Sequence, residues 1–116
     1  MRLPNLPPLT ESTFLILLAL TSPRHGYAIM QEVVRLSSDR VRLGPGTLYG
    51  ALNTLLERAS IYPVGESDAG GERRKVYALT AAGRELLNQD VARLRDLVQI
   101  ADTVLTGKAD DQGGTK

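Results

Sequence analysis

After Thr80 the chain repeats apolar residues at Leu87, Val91, Leu94, Val98, Ala101 and Leu105, in steps of four, three, four, three and four. Only an α-helix gathers such a spacing into one continuous stripe. Leu86, Leu97, Ile100 and Val104 widen it, while Gln89, Arg93, Arg95, Asp96, Gln99 and Asp102 mostly occupy the opposite side. Thr80 offers an N-cap oxygen. A helix over Ala81 to Thr106 would be about 39 Å long, against a breadth of roughly 30 Å for a body of the preceding residues. Part of it must project, and its stripe needs a partner. A second copy of the chain is the expected one; packing on an apolar helix of the same chain is compatible, since the two could meet across a dimer.

The body before it reads as helices followed by a hairpin. Residues 1–8 hold three prolines and are expected to form an extended arm. Thr10 can cap a helix with Glu11 in its first turn, running through Phe14 to Leu20 to about Ser22. Seven consecutive apolar residues there cover every face, so the helix is buried within the domain or against a second subunit. Pro23 ends it, Arg24, His25 and Gly26 turn the chain, and Tyr27 to Leu36 is amphipathic, with Tyr27, Ile29, Met30, Val33, Val34 and Leu36 inward. His25, the single histidine, is expected as a hydrogen-bonded turn residue rather than a metal ligand. Ser37 to Leu43, carrying Arg40 and Arg42, connects to a third helix from Pro45, giving a helix-turn-helix.

That third helix has two unlike faces. Leu48, Ala51, Leu52, Leu55 and Leu56 form a core side; Gly46, Thr47, Gly50, Asn53, Thr54 and Glu57 form the other, with Tyr49 on the border. A helix shown only to water normally carries Lys and Glu, yet its first two turns carry no charge. Gly50 costs roughly 1 kcal/mol against Ala, which suggests that something large approaches the backbone. A DNA groove is such an object, the alternative being an ordinary surface helix with a chance glycine: in the first case Thr47 and Asn53 can read base edges and Tyr49 can reach a phosphate. After Ala59 the period turns alternating. Ile61 to Val64 and Arg73 to Leu79 are expected strands around a polar tip, Gly65 to Glu72, with Pro63 confining the first to an edge and Tyr77 and Leu79 anchoring the second. Arg73, Arg74 and Lys75 are either a solvated edge or a wing set against phosphates or the minor groove.

Composition removes other classes. The 116 residues suit one small domain with an appendage, and one Phe, no Trp and four Tyr leave a core of Leu, Val, Ile and Ala. Without cysteine there are no disulfides, thiolate zinc sites or thiol nucleophile, in keeping with a reducing cytoplasm. The net charge of +1 makes clustering matter more than total charge. The run Phe14 to Leu20 is too short to span a bilayer, and no secretion signal is expected, so the expected location is cytoplasmic. One His, no clustered carboxylate pair and no phosphate-loop glycine pattern leave an enzyme nothing to work with; no metal or cofactor is expected.

His25 to Ile29 (HGYAI), Leu43 to Leu52 (LGPGTLYGAL), Arg73 to Leu79 (RRKVYAL) and Leu79 to Arg84 (LTAAGR) resemble the PadR family of bacterial transcriptional regulators, over about Leu9 to Leu105. The Pro-Gly-Thr-Leu-Tyr run after His-Gly-Tyr is the specific part; the wing and LTxxGR are shared with other winged-helix regulators. The expected fold is mainly α with a small β-hairpin: a winged helix-turn-helix at 9–79 plus one long C-terminal helix at 80–106, with a disordered tail at 107–116. The resemblance implies a homodimeric repressor on a palindromic operator. Gly46, Thr47, Tyr49, Gly50 and Asn53 of the recognition helix and Arg73, Arg74 and Lys75 of the wing would face double-stranded DNA. Phe14, Leu17 and Leu18 would join Leu87, Val91, Leu94, Val98, Ala101 and Leu105 in the subunit interface. Release by a small apolar or aromatic effector occurs in some members, but here only Phe14 is aromatic near that interface.

Three departures from the family pattern carry expectations. Gly44 replaces the usual Ser, so the recognition helix lacks a side-chain cap. Gly50 replaces a common Pro. Ala59 replaces a preferred Gly, and because positive φ strains alanine, a different helix end is expected there. A winged helix that docks on another protein without specific DNA binding is the competing reading.

Overall fold

The computed structural model describes residues 8–68, 71 and 73–107. Within them the chain forms α1 (Glu11–Ala19), β1 (Arg24–His25), α2 (Gly26–Leu36), α3 (Pro45–Glu57), β2 (Ile61–Ser67), β3 (Arg74–Leu79) and α4 (Ala81–Thr106). Four helices and a three-stranded antiparallel sheet of order β1-β3-β2 make a winged helix-turn-helix with a long terminal helix. The expected arm lies outside the described residues except for Pro8, and the expected tail except for Gly107.

Thr10 caps α1 by accepting from the Thr13 N–H at 3.1 Å. The helix stops at Ala19, three residues short of the expected Ser22. Pro23 drives Ser22 out of the α region. The last turn tightens as the Leu20 N–H reaches both Ile16 and Leu17 carbonyls at 3.1 Å, and Thr21 Oγ1 donates to Leu18 O at 2.8 Å. Ile16, Leu17, Leu20, Ile29, Val33, Leu48 and Leu52 are almost wholly enclosed, so the central core lies where α1, α2 and α3 meet. At roughly 1.5–3 kcal/mol for each fully buried aliphatic side chain, this cluster is the main favourable term in folding.

His25 does more than turn the chain. Its Nδ1 accepts the Ala28 N–H at 3.2 Å and so caps α2, one residue earlier than expected. Arg24 and His25 also pair with Tyr77 and Val76 as a third strand that the sequence did not announce. Between α2 and α3, Ser38 and Asp39 take positive φ (52° and 72°), and the buried Ser37 Oγ accepts the Val41 N–H at 3.0 Å. The ion pairs Arg40–Glu11 and Arg42–Asp39 lie on the outside of this connection.

The hairpin strands differ from the expected ones. β2 runs on to Ser67, because a bulge between Pro63 and Gly65 lets the chain pass Gly65, whose φ of 147° suits glycine, and resume pairing. β3 starts at Arg74 rather than Arg73. β2 is an edge strand, as Pro63 requires.

Ala59 corrects another expectation. It adopts φ 58° and closes α3 much as a glycine would: its N–H reaches Leu56 O at 3.0 Å and the Ser60 N–H reaches Leu55 O at 2.9 Å. Thr80 grips the same corner, its Oγ1 donating to Ala59 O at 2.7 Å and its N–H to Ser60 O at 3.1 Å, while Oγ1 also accepts the Gly83 N–H at 2.9 Å to cap α4. A Cβ on Gly83 would lie 2.0 Å from Ser60 O, so only glycine lets α4 start this close.

From there α4 leaves the body, and the molecule measures 65 × 35 × 21 Å. Two of the residues expected at the subunit interface are corrected by this packing. Leu17 and Leu87 are 0% and 4% exposed inside the protomer's own core and present no surface to a second chain.

Candidate nucleic-acid interface

Helix α3 follows the N-cap residue Gly44, which gives it no side-chain cap, and has Pro45 in its first turn. Leu48, Leu52 and Leu55 fix its inner side. That fixing leaves Gly46, Thr47, Gly50, Asn53 and Thr54 exposed on an uncharged outer side, and apart from the adjoining backbone of the helix itself nothing described lies within 4 Å of where a Cβ on Gly46 or Gly50 would be. Thr54 is turned back onto its own helix, its Oγ1 donating to Gly50 O at 3.3 Å.

Tyr49, on the border, leans toward the wing. Its hydroxyl sits over Gly26, where a Cβ would come within 2.3 Å of the phenol oxygen. Together with Tyr27, Tyr77 and the wing's Arg73, Arg74 and Lys75 it surrounds an open cleft of about 460 Å³ floored by Gly26, Met30 and Pro45. Burial pushes the Tyr77 phenol above its ordinary pKa, and a charge on Tyr49 would push it further. Arg73 is paired with Glu66 at 2.5 Å; Lys75 stands opposite Glu66 in the ladder; the Arg74 guanidinium lies 5.6 Å from the centre of the Tyr27 ring. The fold thus gathers Tyr49 and the three cations around one cleft, with Gly46, Thr47, Gly50 and Asn53 on the outer side of α3.

Sequence reasoning missed Tyr27 and Glu66. Helical spacing assigned Tyr27 to the core, yet it is 54% exposed. It stands two residues past His25, whose pairing with Val76 carries the start of α2 alongside the wing. The pattern HGY next to a basic strand was the available signal, but only the β1–β3 pairing brings the two together.

Sharing no lining residue with that cleft, Phe14, Val91, Leu94, Arg95 and Val98 border an open, largely apolar hollow of about 280 Å³. Leu18 is half-buried, Ala101 is exposed, and Leu105 is 82% exposed on the projecting end of α4.

Residues 15–89 match the transcriptional regulator PadR-like family. The chain belongs to that family. It is 36% identical over 89 residues to a transcriptional regulator of Mycobacterium tuberculosis, the match covering 77% of each chain. It is 41% identical over 81 residues, 69% of its length, to an uncharacterised 37.1 kDa protein in transposon TN4556 of Streptomyces fradiae, but spans only 22% of that protein. A crystal structure of a PadR family transcription regulator from Clostridium difficile superposes with a TM-score of 0.70 at 26% identity, over 83% of this chain and 99% of the other. As a PadR-like protein the chain is a DNA-binding transcriptional regulator and not an enzyme. Among the described residues no helix is long and apolar enough to cross a membrane, and no three acidic or histidine side chains cluster as metal ligands.

Proposed function

We propose that this PadR-like chain is a homodimeric repressor of a palindromic operator. The observation that carries this reading is the juxtaposition of an uncharged, glycine-bearing helix face with a cationic cleft at its border. In it, residues 9–79 bind DNA. Gly46 and Gly50 let the α3 backbone approach the floor of the major groove, Thr47 and Asn53 read base edges, and Tyr49 reaches a phosphate. Arg73, Arg74 and Lys75 meet the phosphates next to that groove. Residues 80–106 hold two copies together through the outward stripe of Val91, Leu94, Val98, Ala101 and Leu105, with Phe14 and Leu18 at its edge. Two-fold symmetry then sets the recognition helices about 34 Å apart, one turn of the duplex.

Arg73 must exchange Glu66 for a phosphate. Exposed ion pairs are worth roughly 0–1 kcal/mol, and phosphate binding also releases counterions, so the exchange favours DNA at low salt. The test is duplex affinity against salt, using an inverted repeat found beside the chain's own coding region. Arg73→Ala combined with Lys75→Ala is expected to weaken binding and lower the salt slope by about 0.9 for each phosphate no longer neutralised. An unchanged affinity and slope would remove the wing from the interface.

A further inference from the structure

We propose that Gly26 is a positioning residue for DNA binding: its missing side chain leaves the space in which the Tyr49 phenol lies, and so sets the phenolic hydroxyl in the cleft between α2, α3 and the wing, where it takes a backbone phosphate. This rests on the reading of α3 and the wing as the DNA-binding surface, with Tyr49 as a phosphate contact. The three atoms nearest to a Cβ on Gly26 would all belong to Tyr49: the hydroxyl oxygen at 2.3 Å, Cζ at 2.8 Å and Cε1 at 3.3 Å. Gly26 is buried under that ring end, and Met30, Pro45 and Tyr77 line the same cleft around it.

Backbone conformation does not call for glycine at this position. Among the described residues the glycines with positive φ are Gly65, Gly71 and Gly107, and Gly26 is not one of them. It opens α2, which the His25 side chain already caps, and alanine is the better helix former. What a side chain there would meet is the phenol. Gly83 shows the other kind of close approach: a Cβ would lie 2.0 Å from the Ser60 carbonyl oxygen, a backbone atom held in the corner with Thr80, so a methyl group there must disturb the fold. At Gly26 the obstacle is the far end of an exposed side chain on a helix, where aromatic residues have two common χ1 wells. A methyl group at position 26 therefore turns the phenol out of the cleft and leaves the backbone in place. A tyrosine hydroxyl bonds a phosphate without reading sequence, so its position sets affinity rather than specificity. A ring seated before DNA arrives also loses less freedom on binding.

The experiment compares binding of the full chain to a mixed-sequence duplex spanning two successive major grooves, across a salt series. Tyr49→Phe is expected to weaken binding by about ten-fold per half-site, the scale of one hydrogen bond to a charged group, with the salt slope unchanged because no cation is lost. Gly26→Ala is expected to match that loss at the same slope and with no loss of thermal stability. In a Tyr49→Ala background, where no ring fills the space, Gly26→Ala is expected to cost nothing further. With ring-labelled tyrosine, the Tyr49 nuclear magnetic resonance signals, assigned by their absence in Tyr49→Phe, are expected to move in Gly26→Ala while those of Tyr62, outside the cleft, stay. Unaltered binding by Gly26→Ala beside a weakened Tyr49→Phe, or an undiminished Gly26→Ala effect in the Tyr49→Ala background, would overturn the proposal. So would loss of the folded state in Gly26→Ala, since the glycine would then serve the fold rather than the pose of the phenol. Unaltered binding by Tyr49→Phe, or no duplex binding by the unaltered chain, would instead defeat the underlying reading of Tyr49 or of the whole surface.

Discussion

Ala59 holds a left-handed conformation that disfavours an L side chain by roughly 1–2 kcal/mol, and it is kept there by its neighbours. Two backbone bonds close the end of α3 around it, and Thr80 grips its carbonyl and that of Ser60. Glycine would remove the side-chain penalty but add about 0.5–1 kcal/mol of freedom to the unfolded chain. The balance predicts that Ala59→Gly stabilises the protein by roughly 0.5–1 kcal/mol. Urea denaturation should show a higher midpoint at an unchanged slope, with duplex affinity unaltered because Ala59 lies beyond the end of α3, past Glu57 and outside the residues assigned to the groove. Sequence pattern identified Ala59 as the odd residue at a glycine position. It did not reveal that Thr80, some twenty residues later, holds the corner in place, because that grip forms only after the hairpin has folded back.

The outer side of α3 gives the element-scale test. Nothing in the described chain crowds a Cβ at position 50, so Gly50→Ala should raise stability by about 1 kcal/mol from helix propensity alone. If this face enters a groove, the same methyl group meets the duplex, and affinity should fall by about ten-fold or more, the scale of one disrupted base contact. Gel-shift titration beside thermal denaturation separates the two effects; a variant that gains stability and keeps its affinity would take the face out of the groove. The helices were legible because 3.6-residue periodicity and the caps Thr10 and Thr80 are local signals. The strands were less so. β1 is two residues long and has no alternation to read, and the bulge between Pro63 and Gly65 breaks the period of β2 where the sequence suggested a loop. Tyr27 was misassigned for a related reason: periodicity tells which residues share a side of a helix, not whether a distant strand covers that side with methyl groups or with an arginine.

At the scale of the whole molecule, the 65 Å long axis reflects α4 leaving the body with its apolar stripe uncovered. Val98 is 58% exposed, so a charge there does not disturb the protomer's own core. Val98→Asp is therefore expected to leave thermal stability of the single chain nearly unchanged while abolishing the dimer, as read by sedimentation velocity, and to weaken operator binding with it. An unchanged dimer would remove this part of α4 from the interface. Leu87 was grouped with these residues by the same heptad arithmetic, yet it is enclosed: the repeat runs unbroken along the helix while the body covers only its first turns.

The corner at Ala59, Ser60, Thr80 and Gly83 welds the end of α3 to the root of a rod about 39 Å long. With no slack at that weld, two chains clasped along their rods would have little independent say in where their reading heads stand. The angle at which the rods cross would act as a pair of compasses, opening or closing the gap between the points that touch the duplex.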